Sequence, residues 1–417
     1  MARSIHIVGG GLAGLSAAVR LVDNGLNVIV HESAGHAGGR ARSYHDAALD
    51  LTIDNGNHLI LSGNHATLAY LHRIGAQSRL VGPATAEFPF IDLATRERWT
   101  LRPNDGRVPW WVFAPGRRVP ATRAHDYLGL LPLLWKRTGT IDECLPVRGP
   151  LHERLIHPLL VAALNTDPGE GSARLAAAVV RETLVAGGSA CRPLIAREGL
   201  SLALIDPALA FLRAREATVR FGHRLRALAF EDGSVTALDF GEDVVPLAAG
   251  DGVILAVPPP VAAAIVPGLD VPSEFRAIVN AHFRITPPAG FPAMIGVVNA
   301  TTEWIFSFPG RLSVTISAAD RLLETGRQEL AHLIWREVSV IAGLASELPP
   351  WQIVRERRAT FAATPAQDAK RPPAATAWSN LVLAGDWTAT GLPATIEGAI
   401  RSGNRAAELT GKTGTMA

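Results

Sequence analysis

Ser4-Ile-His-Ile-Val-Gly-Gly-Gly-Leu-Ala-Gly14, with Val28-Ile-Val-His-Glu32 a short way on, is the stretch that decides the fold. The apolar run at 4–8 reads as a short strand. Gly9, Gly11 and Gly14 then form a G-x-G-x-x-G pattern. A helix follows, with Leu15, Val19, Leu21 and Val22 on its apolar side, and Gly25 suits the residue after its end. A second strand at Val28–Val30 delivers Glu32. Gly9 serves the tight turn, Gly11 the close approach of a pyrophosphate, and Gly14 the packing of helix on strand. Leu12, Ala13 and Gly14 open the helix, whose N-terminal N–H groups and dipole attract an anion. Glu32 stands where a carboxylate grips a ribose hydroxyl and repels a 2′-phosphate. The stretch therefore predicts a site for the ADP half of a dinucleotide and argues against NADP.

Composition fits this reading. The chain has 417 residues, 48% of them hydrophobic, enough for one large or two interleaved domains. A net charge of +2 gives no electrostatic case for nucleic acid. Cys144 and Cys191 are the only cysteines. They make neither a metal-ligand spacing nor a disulfide framework, so no metal is expected. No signal peptide and no membrane-spanning apolar run is apparent, which predicts a cytoplasmic protein.

Along the chain, 86–200 is rich in Pro, Trp and Leu and reads as loops and helices. Its most apolar pieces are Arg107–Phe113 and Leu128–Trp135. Helices are expected at 173–185 and 200–215. Residues 218–257 turn to β structure, with Asp232-Gly233 as a hairpin turn and Gly252–Val257 as a buried strand. Strands follow at 295–298, 304–308 and 312–316. Asp320 is expected to cap a long helix carrying Leu323, Leu330, Ile334, Val338 and Ile341. The tail returns to a strand at 381–384, Gly385-Asp386, and a helix from Pro393 to Leu409. Nucleotide-type units at both ends imply a discontinuous domain. The expected class is α/β: a Rossmann-like nucleotide-binding domain of 1–85, 205–260 and 375–417. An inserted α+β substrate domain takes 86–204 and 261–374, with 105–195 mainly helical.

Three further constellations carry chemistry. Gly38-Gly39-Arg40 can pair a guanidinium with the pyrophosphate, or is a solvated loop. Asp54-Asn-Gly-Asn-His58 can run its backbone past a planar ring, with Gly56 permitting the approach, or is a plain turn. Gly385-Asp386 with Leu392–Ala399 offers an acid and a second helix N-terminus, or is a capped surface helix. If the ring is a flavin, that helix would stabilise negative charge on it.

Taken together, Gly9-x-Gly11-x-x-Gly14, Glu32, Gly38-Gly39-Arg40 and Gly385-Asp386 with Thr395-Ile396-Glu397-Gly398 resemble the FAD-binding signature of the amine oxidase and phytoene desaturase superfamily. The likeness runs end to end. Gly385–Gly403, Asp54–His58, Pro109-Trp-Trp111 and Leu164–Pro168 are further similar to the squalene-associated FAD-dependent flavoenzymes within it. One departure is His36, where the superfamily often has arginine. The resemblance implies FAD held by Gly9, Gly11, Leu12, Ala13, Gly14, Glu32, Gly39, Arg40, Gly56, Asn57, His58, Gly385, Asp386, Thr395 and Ile396. It places the adenine near Leu225.

The implied reaction is reductive dehydroxylation of a long-chain polyprenoid, hydroxysqualene, to squalene in hopanoid synthesis. The leaving hydroxyl needs a proton, and His58 is the candidate donor, with Asn165 and Asp167 behind it. Rivals are a carotenoid-type desaturase and an amine oxidase. Many amine oxidases place a lysine beside the flavin, and this chain has none between Lys136 and Lys370. A flavin-bound scaffold for a prenyl-synthesis complex is the non-enzyme alternative. Trp110-Trp111 and Leu128–Trp135, flanked by Arg107, Arg117, Arg118, Arg123 and Lys136, suggest peripheral contact with the inner face of the membrane. The electron donor is not legible.

Overall fold

In the computed structural model, residues 3–135, 138–145 and 148–412 are described; Lys136 lies outside them. Five parallel strands form one sheet, in the order Thr218–Arg220, Asn27–His31, Ser4–Val8, Gly252–Leu255, Leu381–Leu383. Most of their apolar residues are buried, on both faces, which is why the runs read as continuous rather than alternating. Val8 is level with His31 and Leu255, and Leu255 with Leu383. Gly9, Glu32, Ala256 and Ala384 therefore emerge side by side at the carboxyl ends of four strands, where open α/β sheets bind ligands. Helix Leu12–Asp23 packs closely on helix Ile396–Lys412: a Cβ on Gly403 would lie 2.1 Å from the Ala13 carbonyl oxygen.

A second sheet has seven strands. Its order is Trp351–Phe361, Phe275–Arg284, Arg311–Ile316, Trp304–Phe308, Met294–Val298, Phe88–Asp92, Arg98–Leu101. Only Phe88–Asp92 on Met294–Val298 is a parallel pairing. Helix Arg327–Ala342 covers one face, burying Leu330, Ile334, Trp335 and Val338 against Val279, Ala281, Phe283, Ile305 and Val314. Alternation sends the intervening residues to the other face. There the register sets Asn280 opposite Thr315, His282 opposite Ser313, and Trp304 and Phe306 beyond them. Gly296 sits next to Phe90 on the same face. That face is polar toward the 275–284 strand and aromatic toward the 88–92 strand. Gly296 makes the aromatic half possible, since a Cβ there would lie 2.4 Å from the Phe90 ring.

Three expectations need correction. Residues 86–200 are not only loops and helices: Phe88–Asp92 and Arg98–Leu101 extend the large sheet. Pro89 disguises the first of them, because proline lacks a ladder donor. Asp320 does not cap the long helix, which starts at Arg327 after Gly326. Its carboxylate instead accepts the Ala277 N–H of the neighbouring strand. The last helix begins at Ile396 rather than Pro393, with the Thr395 hydroxyl accepting the Gly398 N–H at its start.

Candidate functional site

The glycine turn is built to leave room. Gly9 has φ +110°, donates its N–H to the His31 carbonyl (2.8 Å), and would carry a Cβ 2.3 Å from the Ala256 carbonyl oxygen. A Cβ on Gly11 would meet no protein atom within 4 Å. That open side leaves room for a pyrophosphate to approach the backbone. No side chain caps the Leu12–Asp23 helix, and its first turn holds no acid, so the N–H groups at Leu12, Ala13 and Gly14 are left for an anion. Glu32 is buried, and its carboxylate accepts the N–H groups of Gly10 (2.6 Å) and Ala34 (2.8 Å). An open cradle, an uncapped helix start and a fixed carboxylate suit the ADP half of FAD. Leu225 is buried between strands Thr218–Arg220 and Ala227–Glu231.

The second and third constellations meet. The Gly38 N–H donates to the Gly10 carbonyl, seating Gly38-Gly39 on the glycine turn. Arg40 donates to the Asp386 carboxylate (2.6 Å) and to the Ala359 carbonyl (2.7 Å). Asp386 raises the guanidinium's pKa further, so Arg40 stays charged throughout the working range. His36 hydrogen-bonds Arg42. Ile396 opens the last helix, and Glu397 turns away to cap another. Its carboxylate accepts the N–H groups of Ala66 and Thr67, at the start of helix His65–Arg73.

The Asp54–His58 loop joins the two sheets. Asp54 accepts the Ser43 hydroxyl and the Leu200 N–H. Asn55 clamps the Arg40 loop by donating to the Arg40 carbonyl. Asn57 donates to the Thr315 hydroxyl (3.0 Å), and Thr315 in turn donates to Asn280. Asn280 donates to the Asn55 carbonyl. The missing Cβ of Gly56 points at the Asn280 amide (3.4 Å) and the His58 ring (3.7 Å). Asn57 Oδ1 is buried and has no protein partner among the described residues. Burial holds the His58 pKa below its ordinary value, with Asp54 opposing it. Asn165 adopts a left-handed conformation (φ 51°) and binds Ala318, Thr360 and Arg276. Asp167 is an exposed turn residue accepting the Gly169 N–H.

Sequence reasoning missed Asn280, Thr315 and Arg371. The first two were signalled by polar residues at every second position of a β run. Arg371 carried no signal. It is buried and donates to Asp368, to the Asp386 carbonyl and to the Thr390 hydroxyl, so it holds the Gly385–Thr390 loop in place. Burial lowers its pKa and Asp368 opposes the shift. Arg371→Met leaves Asp368 buried with the half-exposed Arg174 as its remaining cationic partner, beside a long contact from the Ser172 hydroxyl. The variant is expected to lose about 3 kcal/mol of stability, read from the urea midpoint.

Among the described residues no group of three or more His, Cys, Asp or Glu could hold a metal ion, and Cys144 and Cys191 are free and buried. No helix among them is long and apolar enough to cross a membrane.

Comparison with known proteins agrees with this geometry. The family model for flavin containing amine oxidoreductases matches residues 12–410. A protein of Rhodopseudomonas palustris named hydroxysqualene dehydroxylase is 59% identical over 98% of both chains. Proteins of the same name from Sinorhizobium fredii and Zymomonas mobilis are 56% and 49% identical, the first over 98% of both chains and the second over 97% of this chain and 98% of its own. Among solved structures, an oxidoreductase from Methanosarcina mazei superposes with a TM-score of 0.74 at 15% identity, covering 97% of this chain and 100% of that one. A putrescine oxidase variant gives 0.72 at 16%, covering 98% and 99%. Those two likenesses concern the fold alone. The chain belongs to the flavin containing amine oxidoreductase family and is an FAD-dependent oxidoreductase of α/β class.

Proposed function

We infer that this chain removes the hydroxyl of hydroxysqualene reductively to give squalene, a step of hopanoid or other triterpenoid synthesis. The observation that carries the reading is near-full-length identity of 49–59% to three proteins named for that reaction. The sheet face described above supports it. FAD, bound and reduced, supplies the hydride that replaces the hydroxyl at an allylic carbon. We assign its binding to the parallel-sheet portion, 1–85, 205–260 and 375–417, through Gly9, Gly11, Leu12, Ala13, Gly14, Glu32, Gly39, Arg40, Gly56, Asn57, His58, Leu225, Gly385, Asp386, Thr395 and Ile396. The remainder, 86–204 and 261–374, would hold the polyprenoid.

The chain's own residues divide the remaining work. Phe90, Trp304, Phe306 and Met294 offer a dry wall whose aromatic faces favour positive charge developing on an allylic carbon. At the border of that wall, Asn57 Oδ1 is free to accept the substrate's O–H. Asn280 and Thr315 fix the orientation of Asn57. We assign the proton for the departing hydroxyl to His58. Its pKa is held low by burial, so only a small share is protonated at neutral pH. Turnover is therefore expected to rise as pH falls from 8 to 7, approaching roughly tenfold per unit while the imidazole is mostly neutral, and to level off as pH reaches its pKa. In His58→Ala that slope should vanish while the flavin absorbance stays. An unchanged slope would remove His58 from the reaction.

The direct test is anaerobic. Photoreduced enzyme mixed with hydroxysqualene should yield squalene by mass and reoxidised flavin in equal amounts. Failure to form squalene, with a desaturated product appearing from the oxidised enzyme instead, would favour a carotenoid-type desaturase.

A further inference from the structure

Thirteen large apolar side chains are exposed among the described residues, and six of them crowd into one segment: Val108, Trp110, Phe113, Leu128, Leu131 and Trp135. Val108, Phe113 and Trp135 are 75%, 72% and 69% exposed. The segment is a chain of short turns, Trp110–Phe113, Pro115–Arg117 and Ala124–Leu130, followed by helix Leu131–Trp135. It is not loosely attached. Trp111, Tyr127 and Leu133 point inward and are buried, and Trp111 meets Tyr127 edge to face. The fold thus anchors the segment by one set of side chains and presents the other set to the outside.

Its rim is cationic. Arg117 stacks over the Trp110 ring at 4.7 Å, and Arg118 is fastened to the carbonyls of Val112 and Thr122. Arg107 and Arg123 are exposed. Against these four arginines, residues 105–126 hold two acids, Asp105 and Asp126. Exposed tryptophan and phenylalanine within an arginine rim fit the headgroup boundary of an anionic bilayer. Exposed apolar side chains concentrated in one segment in this way mark an interaction site rather than ordinary solvent-facing surface. Immediately behind it lies a crevice lined solely by Leu, Ile and Val, including Leu130, Leu133, Leu155 and Leu160. Those side chains belong to the same buried cluster as Phe90, Trp304 and Phe306. Apolar contact therefore runs unbroken from the exposed segment to the aromatic half of the large sheet.

We propose that residues 108–135 form a docking surface for an anionic lipid bilayer, seating the molecule with the Leu130–Leu160 crevice against the hydrocarbon. The docking does not depend on which lipid the enzyme transforms.

Flotation of the FAD-loaded enzyme tests it, using vesicles of phosphatidylcholine with and without phosphatidylglycerol. Wild type should float with the anionic vesicles, and its partition should fall severalfold with pure phosphatidylcholine or in high salt. Trp110→Ser/Phe113→Ser/Trp135→Ser should partition at least tenfold less while keeping its flavin absorbance. If the triple variant loses flavin, Phe113→Ser alone should still lower partition severalfold. Wild type that stays at the bottom of the gradient overturns the proposal, as does a variant that floats like wild type. So does light scattering in which wild type forms a stable dimer that the triple variant lacks while neither binds vesicles.

Discussion

Gly11→Ala is expected to fold as well as wild-type apoprotein and to emerge colourless, whereas Gly14→Ala is expected not to hold its native fold. Both changes add one methyl group to the same turn. At Gly11 that methyl meets no protein atom within 4 Å, and the residue is already extended (φ −75°), so the polypeptide pays little. The space it fills is the space a pyrophosphate needs. Flavin occupancy, read as the ratio of visible to ultraviolet absorbance, should drop at least tenfold, equivalent to a loss of about 1.4 kcal/mol or more in binding. At Gly14 the methyl would stand 1.9 Å from the Gly9 carbonyl oxygen and 3.3 Å from Ile7. Both sides of that contact are backbone or core, so strand and helix must separate, at a cost above about 3 kcal/mol. The melting temperature without added flavin separates the two variants. Gly35→Ala, at an exposed glycine with open space around it, is the neutral control. Visible absorbance undiminished in Gly11→Ala would remove that glycine from the cofactor cradle.

Acid should begin to destabilise the protein above the pH at which ordinary carboxylates titrate. His31 lies between two other imidazoles, with Nε2 3.1 Å from His6 and Nδ1 2.8 Å from His223. Burial first, and then those neighbours, push its pKa down to about 3. His282, on the polar half of the large sheet, is likewise pushed to about 3 by burial and by Arg311, with Asp46 opposing. Each has an ordinary value of 6.5, so the unfolded chain takes up protons that the native state refuses. The stabilisation is complete above pH 6.5 and is lost as pH falls toward 3. At pH 4, 2.5 units below the unfolded value, each histidine has forfeited about 3 kcal/mol. Together they remove about 6 kcal/mol, comparable to the whole stability of many domains. Urea midpoints measured between pH 7 and 4.5 should fall steeply. His282→Gln should be less stable at pH 7 but show a shallower decline. A decline equally steep in the variant would assign the acid sensitivity elsewhere.

What could be read beforehand follows from how local each signal is. The Gly9–Glu32 unit was legible because strand, turn, helix and acid are contiguous, and each glycine answers a local steric demand. The Asp232-Gly233 hairpin was legible for the same reason: both residues take positive φ, 46° and 74°. Strand Trp351–Phe361 was not, because an edge strand carrying Arg355, Glu356, Arg357 and Arg358 reads as solvent-exposed chain. The 275–284 strand was passed over although Asn280 and His282 alternate in it, because those polar residues meet the Asp54–His58 loop rather than solvent. Glu397 was read with the cofactor motif, yet its carboxylate is spent on Thr67, and only the tertiary structure brings those two together. The buried Arg371 had no sequence signature, since apart from Asp368 its partners, the Asp386 and Thr388 carbonyls and the Thr390 hydroxyl, lie 15, 17 and 19 positions further along the chain.

The ion pair between Arg40 and Asp386 spans 346 positions of the chain. During synthesis the amino-terminal turn leaves the ribosome long before its counterpart exists. Until the 385–390 loop has been made, Arg40 consequently lacks its carboxylate partner, and only the amino-terminal half of the cradle can form. A chain cut before Asp386 is therefore expected to stay pale, with half of its cofactor cradle missing.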